Sequence, residues 1–138
     1  MAKNLVPLVA GIIELPENNL NKAHIVGSHC AKCNEYYYPK REICLVCGNR
    51  SMDGVKLSGK GKLWSFTTIF EVMPGSLIQE TPYVLAVIEL EEKVLLKSIL
   101  ENPDQKTLKL GTQVGVLFEK VSEDKDGNGL VAIKFKVL

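Results

Sequence analysis

All four cysteines of this chain fall in one 18-residue span, as Cys30-x-x-Cys33 and Cys44-x-x-Cys47 with ten residues between the pairs. Each pair offers two sulfurs from one tight knuckle, and two such knuckles suit a tetrahedral thiolate site. The chain must turn sharply just after the second cysteine of a knuckle, where a left-handed backbone is wanted. Asn34 and Gly48 stand at those two places, and both residue types tolerate that conformation. Between the knuckles, Glu35 to Pro39 reads as a short strand entering a hairpin. A segment this short buries too little apolar surface to fold alone, so a bound metal supplies the missing free energy.

Other readings of four cysteines compete. Two disulfides require an oxidising compartment, and C-x-x-C bridges are poor staples. A thioredoxin-like redox site needs one C-x-x-C beside a βαβ pattern that this sequence lacks. Four thiolates also bind iron, but a redox role leaves the larger remainder of the chain unexplained, so zinc is favoured over iron. Four sulfur ligands leave no open coordination position, which makes the expected zinc structural. His24 and His29 lie close by and are expected at the surface or behind the ligands.

The cysteine segment divides the chain into three expected parts: an arm at 1–25, a zinc ribbon at 26–54 and a β-domain at 55–138. Pro7, Pro16 and Asn18-Asn19 break any long helix in the arm, which reads as irregular, with room for a short helix or strand. Its apolar residues, among them Leu5, Val6, Ile12 and Ile13, dock either on the rest of the chain or on a partner. Beyond residue 55, β-branched and aromatic runs predict strands at 62–70, 83–90, 93–100, 114–121 and 130–137. Glu91-Glu92 reads as a tight hairpin, and Asp124 to Gly129 as a strong turn. The fold class is therefore mainly β: five strands with one wide gap between the third and fourth suit a small closed barrel of the OB type, with an open sandwich as the runner-up.

Seventeen basic and sixteen acidic residues leave a formal charge of +1, so no global field draws nucleic acid or anionic membrane. No apolar run is long enough to span a bilayer. The run from Leu5 to Ile13 is interrupted by Pro7 and Gly11 and lacks a small-residue cleavage site, unlike a secretory signal. Thiolate metal sites suit a reducing compartment, and the cytoplasm is the expected location. The catalytic inventory is thin. With each thiol assigned to metal no cysteine nucleophile remains, and Gly59-Lys60-Gly61 is better read as a bend than as a phosphate loop. The chain is not expected to catalyse a reaction alone.

One succession is more specific than the cysteines. Cys30 to Gly48 is followed by Leu57-Ser58-Gly59-Lys60-Gly61-Lys62-Leu63-Trp64-Ser65-Phe66-Thr67, then Thr81-Pro82-Tyr83 to Leu90, then Leu110-Gly111-Thr112-Gln113-Val114. From about residue 26 to the C-terminus this resembles the family of acyl-CoA-associated proteins with a rubredoxin-like zinc ribbon and an OB-fold. The resemblance implies a small non-catalytic partner of a thiolase-superfamily enzyme, whose own cysteine and histidines act on acyl-CoA thioesters. The resemblance makes the small subunit of a 2-benzoylsuccinyl-CoA thiolase one candidate for this chain. The chain departs from the usual pattern at Asn34, where glycine is common, and at Glu92-Lys93-Val94, which is more charged than the usual glycine-led strand.

That resemblance suggests a ribbon facing the partner's acyl-CoA entrance. Lys32, Lys40, Arg41, Arg50 and Lys56 gather around the knuckles against Glu35, Glu42 and Asp53, a local excess that could complement CoA phosphates; solvated surface lysines are the plain alternative. Tyr36, Tyr37 and Tyr38 cannot all bury on one face of a strand, and Tyr37 is carried as a candidate contact. Leu77 and Ile78, beside Met73-Pro74-Gly75, make an apolar tip that either meets a partner or packs under the barrel. Single-stranded nucleic acid is the rival ligand class, with Trp64, Phe66 and Tyr83 as stacking platforms, although core packing accounts for those rings better.

Overall fold

The computed structural model of the chain describes residues 4–76, 80–101, 103–104 and 106–138. Leu77 and Ile78 lie outside the described residues. In chain order the strands are β1 (Leu5–Pro7), β2 (Ile13–Glu14), β3 (His24–Cys30), β4 (Glu35–Tyr37), β5 (Asp53–Lys56), β6 (Lys60–Ile69), β7 (Tyr83–Leu90), β8 (Leu95–Glu101), β9 (Gln113–Glu123) and β10 (Gly129–Val137). Two single 3₁₀ turns, Pro16–Asn18 and Leu20–Lys22, join β2 to β3. Among the described residues no helix is long and apolar enough to cross a membrane.

Strict alternation builds the barrel. Along β7 the pattern from Val84 to Leu90 buries every second residue, and β8 repeats it at Leu96, Ser98 and Leu100, as a sheet with one covered face requires. Strands β6, β7 and β8 pair antiparallel, β8 then pairs parallel with β10, and β10 runs antiparallel to β9. Pairing of β9 with β6 closes the ring. The resulting order, β6-β7-β8-β10-β9, is the five-stranded barrel that the strand spacing predicts. Phe135, Val114, Ile88 and Leu100 fill it, each no more than 2% exposed.

Gly61 shows how tightly the closure is made. A Cβ built there would lie 2.2 Å from the Glu89 carbonyl oxygen across the β6–β7 pair, so no larger residue fits without moving backbone.

The connection between β7 and β8 is one residue longer than the Glu91-Glu92 turn read from sequence. Glu91, Glu92 and Lys93 form the loop, closed by Leu90 N–H to Val94 carbonyl at 2.9 Å. Lys93 takes φ 68°, the left-handed position that ends a three-residue hairpin loop. The charged sequence thus forms a hairpin, closed by a three-residue loop.

The arm does not stay irregular. β1 adds to β10 in parallel at Gly129 to Val131, the end of β10 that β8 leaves bare, since β8 pairs only from Lys134 to Lys136. β2 joins the ribbon through Ile13 opposite Ile25 and Glu14 opposite His24. Ribbon and barrel share one core: Ile25 and Leu57 pack with Leu63, Val84, Ile88 and Phe135. Trp64 and Phe66 depart from the expectation that their rings serve the core. They are 54% and 38% exposed; Trp64 follows the inward Leu63 and so falls on the outer face by simple alternation, at a register shift between Leu63 and Ser65.

Candidate metal centre

The ribbon is a small antiparallel sheet with β3 at its centre, flanked by β4 and β2 on one edge and β5 on the other. Cys30 ends β3 and opens the first knuckle; Cys44 opens the second after the loop that follows β4. Both knuckles close alike. Asn34 N–H donates to the Cys30 carbonyl at 2.7 Å, and Gly48 N–H to the Cys44 carbonyl at 2.9 Å. Asn34 and Gly48 carry φ of 58° and 74°, the left-handed backbone expected at those two positions.

The knuckles converge. The four Sγ atoms lie within 4.8 Å of one another, and Cys30 Sγ stands 3.6 Å from Cys47 Sγ. A tetrahedral zinc–thiolate centre, with Zn–S near 2.3 Å, sets its sulfurs about 3.8 Å apart. The donor set therefore fits a four-coordinate metal with no position left for water or substrate.

Nearby polar groups already prepare some sulfurs for ionisation. Cys44 is drawn down to about 6 by the Tyr37 hydroxyl, 3.4 Å from its sulfur, and then by the backbone N–H of Cys47. Cys30 is lowered by the Asn49 side-chain amide, whose Nδ2 lies 3.5 Å away, against the opposing effect of burial. Cys33 is pushed up to about 12 by its hydrogen bond with Cys47 and by burial among the other sulfurs. Four thiols this close cannot all ionise without a cation among them.

Tyr37 sits with the cysteines. Its hydroxyl also accepts from Leu45 N–H at 3.1 Å, so the half-buried ring braces the second knuckle. Tyr36 and Tyr38 pack against the shared core, and Tyr36 lies 4.6 Å from the His29 ring. Neither histidine joins the sulfur cluster: His29 Nε2 pairs with Asn34 Oδ1 at 2.8 Å, and His24 Nε2 with Glu14 Oε2 at 2.9 Å. Lys32, Lys40 and Arg41 are all exposed around the ribbon. The Arg41 backbone N–H donates to the buried Ser28 hydroxyl at 2.9 Å, which lays the segment after Pro39 across one face of the ribbon sheet. Sequence reasoning missed Asn49 and the Glu14–His24 pair. Asn49 carried a weak signal, its place two residues after Cys47; the pair carried none, because it exists only once β2 docks on β3.

Comparison with known proteins agrees with this architecture. The family model described as "ChsH2, rubredoxin-like zinc ribbon domain" matches residues 22–53, and "ChsH2, C-terminal OB-fold domain" matches residues 54–119. A DUF35 domain-containing scaffold protein of Methanocaldococcus jannaschii is 33% identical, over 81% of this chain and 79% of its own length. The benzoylsuccinyl-CoA thiolase subunit BbsA of Thauera aromatica is 28% identical, over 91% of this chain and 83% of its own. Among solved structures, a chain of the Ltp2-ChsH2(DUF35) aldolase superimposes with a TM-score of 0.67 at 25% identity, covering 83% of this chain and 84% of that one. With the ribbon, the barrel and the paired cysteine knuckles all in place, the chain belongs to the DUF35 family of scaffold proteins, built from a ChsH2-type zinc ribbon and OB-fold.

Proposed function

We propose that this chain is a non-catalytic, zinc-binding accessory subunit of a thiolase-type acyl-CoA enzyme, stabilising that partner and helping to form its acyl-CoA channel. The observation that carries the reading is the convergence of all four cysteines within 4.8 Å. It commits every thiol of the chain to one coordinatively closed site and leaves none for carbon–carbon bond chemistry on a thioester. Relatives that are a thiolase subunit and part of an aldolase support the same direction. Zinc, held by Cys30, Cys33, Cys44 and Cys47, supplies folding free energy to the ribbon rather than Lewis acidity. In this reading Lys32, Lys40 and Arg41 face the CoA phosphates, Leu77 and Ile78 meet the partner, Tyr37 supports the contact surface from behind, and the complex works in the cytoplasm.

A native pull-down of the tagged chain from its own organism tests the proposal. A thiolase-like protein recovered in near-equal amount supports it and names the pathway. Recovery without such a protein sinks it. With the complex in hand, reversing the charge at Lys40 and Arg41 lowers CoA-ester turnover; unchanged turnover removes those two residues from the channel.

The outward rings of Trp64 and Phe66 favour one second reading, single-stranded nucleic-acid binding through base stacking. A binding assay across salt concentrations separates the two, since phosphate-backbone binding must weaken steeply with salt.

A further inference from the structure

Where β8 and β10 end, the barrel carries a cavity of about 230 Å³. One wall comes from the strands: Lys136 stands opposite Glu101 in the parallel β8–β10 pair, and Val137 follows it. The other comes from the segment between β8 and β9, through Asp104, Thr107, Leu108 and Thr112. Leu108 packs against the barrel core, so the apolar side of the cavity is anchored. Pro103 and Val137, the latter 41% exposed, extend it.

The polar groups differ in what they have left to give. The Thr107 hydroxyl donates to the Asp104 carbonyl at 3.3 Å, and the Thr112 hydroxyl to the Lys109 carbonyl at 2.6 Å. With their protons spent, both hydroxyls offer only lone pairs. Asp104 Oδ1 accepts from Lys106 N–H at 3.1 Å, and Oδ2 has no partner among the described residues. Glu101 is already held by Lys134. Among the lining side chains Lys136 alone presents donors. Neither Lys136 nor Asp104 has an ion-pair partner among the described residues.

The cavity thus joins one uncommitted carboxylate and two acceptor hydroxyls to one uncommitted ammonium, with apolar surface beside them. Its volume is several times the ~30 Å³ share of a water molecule. It falls below the ~300–1,000 Å³ of clefts that take drug-sized ligands, which suits a molecule smaller than a nucleotide. We propose that this cavity binds a free aliphatic amino acid. The ligand's ammonium meets Asp104 and the Thr107 and Thr112 hydroxyls, its carboxylate meets Lys136, and its side chain lies over Pro103, Leu108 and Val137. A zwitterion answers both unpaired charges at once, whereas a simple anion or cation leaves one of them unmatched. The assignment is independent of the accessory-subunit reading, since it uses no ribbon residue and no acyl-CoA group.

Calorimetry and amide NMR on the zinc-loaded full chain, with L-leucine as the probe, test the site. 3-Methylbutylamine and 4-methylpentanoate keep the carbon skeleton and lose one charge each; glycine keeps both charges and loses the side chain. Expected is saturable binding of leucine, with shifts centred on residues 106–112 and on Val137. Each of the three controls binds at least about tenfold more weakly, the scale of one charge-assisted hydrogen bond or one buried aliphatic side chain. Asp104→Asn and Lys136→Met, both at exposed positions, weaken leucine binding by a similar factor. Lys109→Met, which removes a lysine outside the lining, leaves it unchanged. Zinc content and a native amide spectrum certify each variant as folded. Absence of leucine binding overturns the proposal, as does equal affinity for any of the three controls or unchanged affinity in the Asp104 and Lys136 variants.

Discussion

The Glu92 carboxylate holds Ser58 by two hydrogen bonds, accepting from the Ser58 backbone N–H at 2.7 Å and from its hydroxyl at 3.1 Å. Thirty-four residues apart, these two groups tie the β7–β8 loop of the barrel to the segment by which the chain leaves the ribbon. Lys93 in its left-handed conformation aims the loop, and Glu92 uses that aim. The charged loop is thus a clamp across the ribbon–barrel junction.

Glu92→Ala removes both bonds and leaves the Ser58 groups to water. Because the pair is largely exposed, the expected loss is about 1 kcal/mol. It is read as a lower urea midpoint of the zinc-loaded chain with an unchanged slope. An unaltered midpoint means that the clamp contributes nothing to stability.

Cys33→Ser or Cys44→Ser should abolish stoichiometric zinc binding, measured by atomic absorption on the purified chain. A strong chelator should have the same consequence for the wild type. Amide NMR should then lose the dispersed resonances of residues 24–56 first, since the ribbon depends on the metal for its order. A variant that keeps full zinc content and a native ribbon spectrum would exclude that cysteine as a ligand.

Ile25→Ala tests the shared core. Ile25 is fully buried against barrel residues although it belongs to the ribbon, and truncation of such a side chain costs about 2–5 kcal/mol. Thermal unfolding of the zinc-loaded variant should shift as one transition. Two separated transitions would show that ribbon and barrel unfold independently.

Asp124 provides a pH signature. The Asn128 backbone N–H, 2.8 Å from Asp124 Oδ1, holds this carboxyl below its ordinary value, with the Asn128 side-chain amide and the Asp126 N–H adding to the effect. A carboxyl with a depressed folded value stabilises the folded turn above its unfolded pKa, about 3.9. That stabilisation is lost as pH falls through the lower folded value. The amide resonances of Asp126 and Asn128 should therefore hold steady from neutrality to about pH 4 and move only below it, and Asp124→Ala should abolish the transition. Movement centred above pH 5 would contradict the hydrogen-bonded carboxylate.

What the sequence determined by itself was local. A C-x-x-C pair followed by Asn34 or Gly48 has one compact way to turn, so both knuckles and their left-handed residues were legible from spacing. β-Branched and aromatic runs made the five barrel strands equally legible, and β7 and β8 answer with burial of every second residue, as one covered face requires. Tertiary structure decided whatever depends on which distant segment arrives where. Val6 finds its partner at Leu130 only after β8 has diverged from β10. Ser65 stands opposite Val87, the place Trp64 would take in regular pairing, because β6 carries one extra residue there. Lys40 and Lys56 face one cavity with Glu14 because three separate segments converge on β3. No pattern in the chain encodes such meetings singly; they follow from closing the barrel and docking the arm, which bury Ile25 and Phe135 in one core.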